Sequence, residues 1–164
     1  MTTDSVTPPD LQAETTEVLA RLVRFNTVNP PGNEREAIEY LEAYVRAAGF
    51  QTELLAAEPE RPNLIATLPG HSQDGPTLVF LGHVDTVLAA AEDWQHDPWS
   101  GEVADGFLWG RGALDMKNQV AAEAVAAVAL ARGGWRPQRG ALKLVFVADE
   151  ETSGDVGARW LTER

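Results

Sequence analysis

The sequence predicts an α/β domain, a three-layer α/β/α sandwich in which a mixed, mostly parallel sheet carries helices on both faces. Three observations predict it. Residues 78–81 and 141–147 are short apolar runs bounded by turn residues, the pattern of strands buried on both faces. Segments with helical spacing lie before, between and after them. Ionisable residues stand directly after each run, His83 and Asp85 after the first and Asp149, Glu150 and Glu151 after the second. The carboxyl ends of strands are where open α/β sheets collect ligands.

The elements follow in order. Residues 10–24 place Leu11, Val18, Leu19, Leu22 and Val23 at helical spacing behind Asp10, a residue suited to an N-cap. The breaker cluster Asn29-Pro30-Pro31-Gly32 ends that helix, and a second is expected over 34–48, capped by Asn33 and closed by Gly49. The period then changes. Residues 50–55 and 63–68 read as strands flanking a polar turn, and a further loop leads into the strand that starts at Thr77. A long loop rich in Trp, Asp, Gly and Pro runs to about residue 105, and loops of that length in compact domains are commonly functional. A short strand at 107–109, an alanine-rich helix over 117–131 ended by Gly133-Gly134, and the strand at 141–147 follow. A last helix is expected from near Ser153. The sequence divides into a polar tail, residues 1–9, and one folded region, residues 10–164.

Bulk composition narrows the function. A formal charge of −12, from 25 acidic against 13 basic residues, argues against a nucleic-acid surface. No apolar run approaches a membrane span, and the first ten residues lack a signal-peptide pattern, so a cytoplasmic protein with no membrane partner is expected. The absence of cysteine excludes disulfides and thiolate metal sites, leaving His, Asp and Glu to hold any metal.

His83, Asp85, Asp115, Glu150 and Glu151 each follow a strand or precede a helix. Residues i and i+2 of an extended segment share a side, so His83 and Asp85 point together. Carboxylates converging on one rim raise one another's pKa values, and divalent cations relieve that repulsion. An oxygen-rich set with a histidine suits zinc, manganese or cobalt, and two adjacent metals can share a carboxylate and activate water. Alone, each piece has a plainer reading: the paired glutamates as a solvated helix start, Asp115 as a cap, Gly110-Arg111-Gly112 as a turn that matches no phosphate-binding loop. His96 reads as structural and His71 as solvated.

The ordered set GHVDTV, GRGALDMKNQVAA and ADEETSG, with NTVNPPGNE upstream, resembles the M20 family of metallopeptidases. That group includes aminoacylases, acetylornithine and succinyl-diaminopimelate deacylases and glutamate carboxypeptidases. The resemblance implies two divalent metal ions, zinc first with cobalt or manganese as alternatives. His83 would bind one metal, Asp115 would bridge both, Glu151 would bind the second, and Glu150 would be the general base. Asp85 would orient His83 through its other ring nitrogen. A cis peptide between Asp115 and Met116 is implied as well. The reaction implied is hydrolysis of an amide bond next to a free carboxylate, in an N-acyl amino acid or a peptide, by a peptidase, aminoacylase or N-deacylase that forms a homodimer. Family members carry a further acidic ligand, a metal-binding histidine and a second domain, none of which falls within the 164 residues, so an N-terminal portion of the catalytic domain is expected. The alternative expectation is a short, non-catalytic metal-binding or interaction module.

Overall fold

Local signals set the helices, and tertiary pairing sets how much each strand is buried. The computed structural model describes residues 10–164; the expected polar tail, residues 1–9, lies outside them. Helix α1 spans Leu11–Arg24 and starts as predicted, with the Asp10 carboxylate accepting from the Ala13 amide at 3.0 Å. Helix α2 spans Arg35–Arg46. Its cap departs from the expectation: Glu34, not Asn33, holds the N-cap position and makes no capping bond, because its carboxylate is bound to Arg61. Gly49, at φ +90°, takes the left-handed position after the helix.

Six strands are present among the described residues: β1 Gln51–Ala56, β2 Pro62–Pro69, β3 Ser72–His83, β4 Val103–Ala104, β5 Phe107–Leu108 and β6 Arg139–Val147. Helix α3, Lys117–Arg132, lies between β5 and β6, and the short α4, Ala158–Thr162, follows β6. The main sheet runs β1-β2-β6-β3, and β4 with β5 forms a separate small hairpin.

The α/β class and the mixed sheet stand as predicted, while two finer expectations are corrected. Two of the three ladders, β1–β2 and β2–β6, are antiparallel, and only β3–β6 is parallel. Helices α1, α2 and α3 share one core on one face of the sheet. The last helix begins at Ala158 rather than near Ser153, because residues 149–157 are occupied by turns.

On the covered face, Leu64, Ala66 and Leu68 of β2 lie beside Leu142, Leu144 and Phe146 of β6, all buried. Each leucine and phenylalanine among them contributes about 1.5–3 kcal/mol on burial. Their neighbours Ile65, Thr67, Lys143 and Val145 face the other way and are half-buried. The apolar run of β3 is not the doubly buried strand it resembles: Leu78 is 57% and Leu81 53% exposed. The reason is its place at the sheet edge, paired on one side only among the described residues.

One parallel ladder is enough to build a rim. It pairs His83 with Val147, so the carboxyl ends of β3 and β6 finish side by side. The small residues of α3 let that helix approach the same rim closely. A Cβ on Gly82 would lie 2.9 Å from the Val120 side chain.

Candidate metal centre

Three chain segments deliver the predicted site residues. His83 ends β3 and is 4% exposed. Its Nδ1 lies 3.1 Å from the Asp85 carbonyl oxygen and 3.3 Å from the Asp85 carboxylate, both within reach to fix the ring. Its Nε2 lies 3.2 Å from Asp115 Oδ1 and 3.5 Å from Glu150 Oε2. Burial disfavours the imidazolium, yet Asp85, Asp115 and Glu150 lift the ring's pKa to about 9. The imidazole is therefore surrounded by negative charge and points one nitrogen at an acidic cluster.

Asp115 stands just before α3, at a peptide bond to Met116 that is cis, as the resemblance implied. Its side chain is exposed, and the turn behind it is closed by the Lys117 amide donating to the Gly112 carbonyl at 2.9 Å. Lys117 is fully buried, with Nζ donating to the Leu22 and Phe25 carbonyls at the C-terminal end of α1. Burial pushes this lysine down to about 7, against the pull of Asp85. The contact ties α3, and with it the Asp115 turn, to α1.

Asp85 does more than orient His83. One of its carboxylate oxygens accepts the Glu150 amide at 3.1 Å, and the other accepts the Glu151 amide at 3.0 Å and Asn29 Nδ2 at 2.9 Å. Burial opposes ionisation of Asp85, but His83, Asn29 and the two amides hold its pKa below the usual carboxylate value. The general upward drift expected of the cluster therefore fails at Asp85, where hydrogen-bond donors outweigh the neighbouring charge. It holds at Glu151, raised by burial first and then by Asp115, Asp85 and Glu150 against the opposing effect of His83.

The ligating atoms of His83, Asp115 and Glu151 all lie within 4.8 Å of one another. These are the three residues expected to bind metal, brought together from well-separated positions in the chain. Their one nitrogen and carboxylate oxygens suit a divalent cation of the zinc, cobalt or manganese type. Glu150 stands at the edge of this group with its side chain 57% exposed.

Sequence reasoning gave no role to Asn29, Asp149, Arg61, Glu34 or Lys117, all buried around the rim. The Arg61 guanidinium donates to both oxygens of Glu34, at 3.0 and 2.8 Å, and to Asp149 at 3.2 Å. It fills space that only a glycine leaves: a Cβ on Gly32, which sits at φ +85°, would lie 2.2 Å from Arg61 Nε. Asp149, at φ +66°, accepts from Asn29, Thr152, Ser153 and the Val156 amide. Despite burial, these donors and Arg61 hold its carboxyl well below the usual range. The signal for Asn29 was its place in the NTVNPPGNE stretch, and for Asp149 its place beside the two glutamates. His96 is structural as expected, with its ring against Trp109 and Nδ1 3.1 Å from Glu102. His71 is exposed, as expected.

Fold and cluster together describe an α/β domain whose strand ends converge on a candidate metal centre. Residues 79–164 match the sequence profile of Peptidase family M20/M25/M40, and the chain belongs to that family. It is 43% identical over 136 residues to a succinyl-diaminopimelate desuccinylase of Xanthobacter autotrophicus, covering 80% of this chain and 34% of that one. Against the enzyme of the same name from Paracoccus denitrificans it is 38% identical over 148 residues, covering 90% of this chain and 37% of the relative. The chain thus spans about a third of the length of these curated relatives. Among solved structures, the M20 family metallo-carboxypeptidase Sso-CP2 from Sulfolobus solfataricus superposes with a TM-score of 0.75 at 21% identity, over 92% of this chain and 34% of that one. Human carnosine dipeptidase 1 superposes with a TM-score of 0.73 at 22% identity, over 96% of this chain and 38% of that one. These structural likenesses support the fold.

Proposed function

We propose that the chain contributes the metal-binding rim of a hydrolase that cleaves an amide bond next to a free carboxylate. The substrate class is an N-acyl amino acid or small peptide, with N-succinylated amino acids favoured by the relatives named desuccinylases. The observation that carries the reading is the convergence of His83, Asp115 and Glu151 donors within 4.8 Å at the strand ends. These residues would hold two divalent ions, zinc by preference, with Asp115 shared between them. When bound, the ions polarise the substrate carbonyl and favour deprotonation of water at neutral pH.

The residues of the chain then divide the remaining work. Asp85 holds the His83 ring so that Nε2 faces the acidic group. Glu150, beside that group and open to solvent, takes a proton from the attacking water on its carboxylate. It returns the proton to the amine nitrogen as the carbon–nitrogen bond breaks, leaving a carboxylic acid and a free amine. No helix of the described residues is long and apolar enough to cross a membrane. The proposal keeps the cytoplasmic location expected from the sequence and the homodimeric assembly implied by the family resemblance.

Glu150→Gln tests the assignment in the full polypeptide, assayed on N-succinylated amino acids with metal content measured alongside. Turnover is expected to fall by about 10²–10⁴-fold with metal content unchanged. Near-normal turnover would remove Glu150 as the general base.

A further inference from the structure

The two glutamates of the rim hang on a turn, residues 149–157, that has no helix or strand of its own to fix it. What fixes it is a pair of buried carboxylates, Asp85 and Asp149, which stand close enough to share one partner. That partner is Asn29. Its Nδ2 lies 2.9 Å from Asp85 Oδ2, 3.0 Å from Asp149 Oδ1 and 3.2 Å from Thr152 Oγ1. Asp85 and Asp149 are 0% and 3% exposed, and Asn29 itself is 4% exposed.

Two buried acceptor groups this close need donors between them. A neutral amide nitrogen has two N–H donors, one for each carboxylate, and adds no charge of its own. The reverse orientation would aim the amide oxygen at two anions, so the surroundings decide which way the group points. The backbone of Asn29 is fixed independently of the turn: its amide donates to the Thr86 carbonyl at 2.9 Å, one residue beyond Asp85. The clamp thus joins the segment after β3, which carries His83 and Asp85, to the segment after β6, which carries Glu150 and Glu151.

We propose that Asn29 is a positioning residue of the metal centre, setting the Glu150–Glu151 turn against His83 by clamping Asp85 to Asp149. The inference rests on the metal-centre reading above. Asn29 touches neither metal nor substrate, and acts through the two carboxylates. Asp85 accepts the Glu150 and Glu151 amides on the same carboxylate that Asn29 holds, so loss of the clamp releases both glutamates together.

The test is Asn29→Asp, nearly identical in shape, which replaces the two donors by a third negative group. Asn29→Ser, uncharged and smaller, serves if the aspartate variant does not fold. The probes are zinc titration and backbone amide hydrogen exchange on the metal-free full polypeptide, with His83→Ala measured beside them. The Glu150 and Glu151 amides are expected to lose protection while the β2–β6 ladder keeps its own, a pattern that general destabilisation does not produce. Zinc affinity is expected to fall about 10–100-fold. Unchanged protection at both glutamates, or zinc affinity within about twofold of the parent protein, overturns the proposal, since disruption of outer partners costs more than that. If His83→Ala binds zinc as the parent does, the metal-centre reading itself fails. If His83→Ala loses zinc and the Asn29 variants do not, only the positioning role falls.

Discussion

Arg61 and Glu34 show how much a single buried residue can carry. The arginine is 8% exposed and the glutamate 0%, and they meet through two parallel hydrogen bonds at 2.8 and 3.0 Å. Removing one partner strands the other charge in a place water cannot reach. Arg61→Leu is therefore expected to cost about 3–5 kcal/mol, mostly from the uncompensated Glu34 carboxylate. Urea denaturation of the two proteins measures it, and a loss below about 1 kcal/mol would mean that Glu34 is neutralised or hydrated in the variant. Neither residue stood out in the sequence, where Glu34 reads as a helix-start acid and Arg61 as a turn residue beside Pro62. Asn29 was hidden for the same reason. Its partners lie 56 and 120 residues away, and nothing local announces a polar residue that a distant one will bury.

Among the elements, the helices were the most legible, because an apolar stripe with a period of 3.6 is a local property. Their mutual arrangement was not. Glu14 of α1 accepts from the Tyr44 hydroxyl of α2 at 2.7 Å and from Arg132, the last residue of α3, at 2.6 Å, so one carboxylate ties three helices. The Tyr44 hydrogen bond lowers the pKa of Glu14 below 4.5 in spite of partial burial, and Arg132 adds to the effect. A depressed carboxylate pKa stabilises the fold above its unfolded value, and that contribution disappears as pH falls through the folded value. Glu14→Gln is therefore expected to lower stability by about 1 kcal/mol at neutral pH and by progressively less as the solution is acidified below about pH 4. Thermal melts of both proteins across that range decide it. An equal gap at pH 7 and at pH 3, on the order of that same 1 kcal/mol, would show that the charge of Glu14 contributes nothing.

At the scale of the molecule, the most exposed apolar surface of the sheet is its β3 edge, where Leu78, Val79, Phe80 and Leu81 are 38–57% exposed. An edge strand of this kind pairs readily with another chain, and inward charge is the usual protection against it. The 164-residue chain is expected to associate with itself in a concentration-dependent way despite its charge of −12. Leu81→Lys, which puts a charge on that edge, is expected to weaken the association. Sedimentation velocity at rising concentration checks this, and an identical monomer peak for both proteins throughout would show that the edge is not a contact surface.

The sequence by itself determined the first three helices, the positions of β1, β2 and β6, the α/β class and the short list of candidate residues, because periodicity, turn residues and the order of His83, Asp85, Asp115, Glu150 and Glu151 are written locally. It did not determine which strands would be covered. An apolar run such as residues 78–81 records the wish of its side chains to leave water, and the pairing of β3 at the edge decided that they stay in it. The tertiary structure alone decided the polar support of the rim as well. Asn29 between Asp85 and Asp149, Arg61 between Glu34 and Asp149, and Lys117 on the end of α1 each depend on partners distant in the chain. A buried polar group is stable only where the fold supplies its complement, and that condition exists nowhere along the sequence until the segments meet.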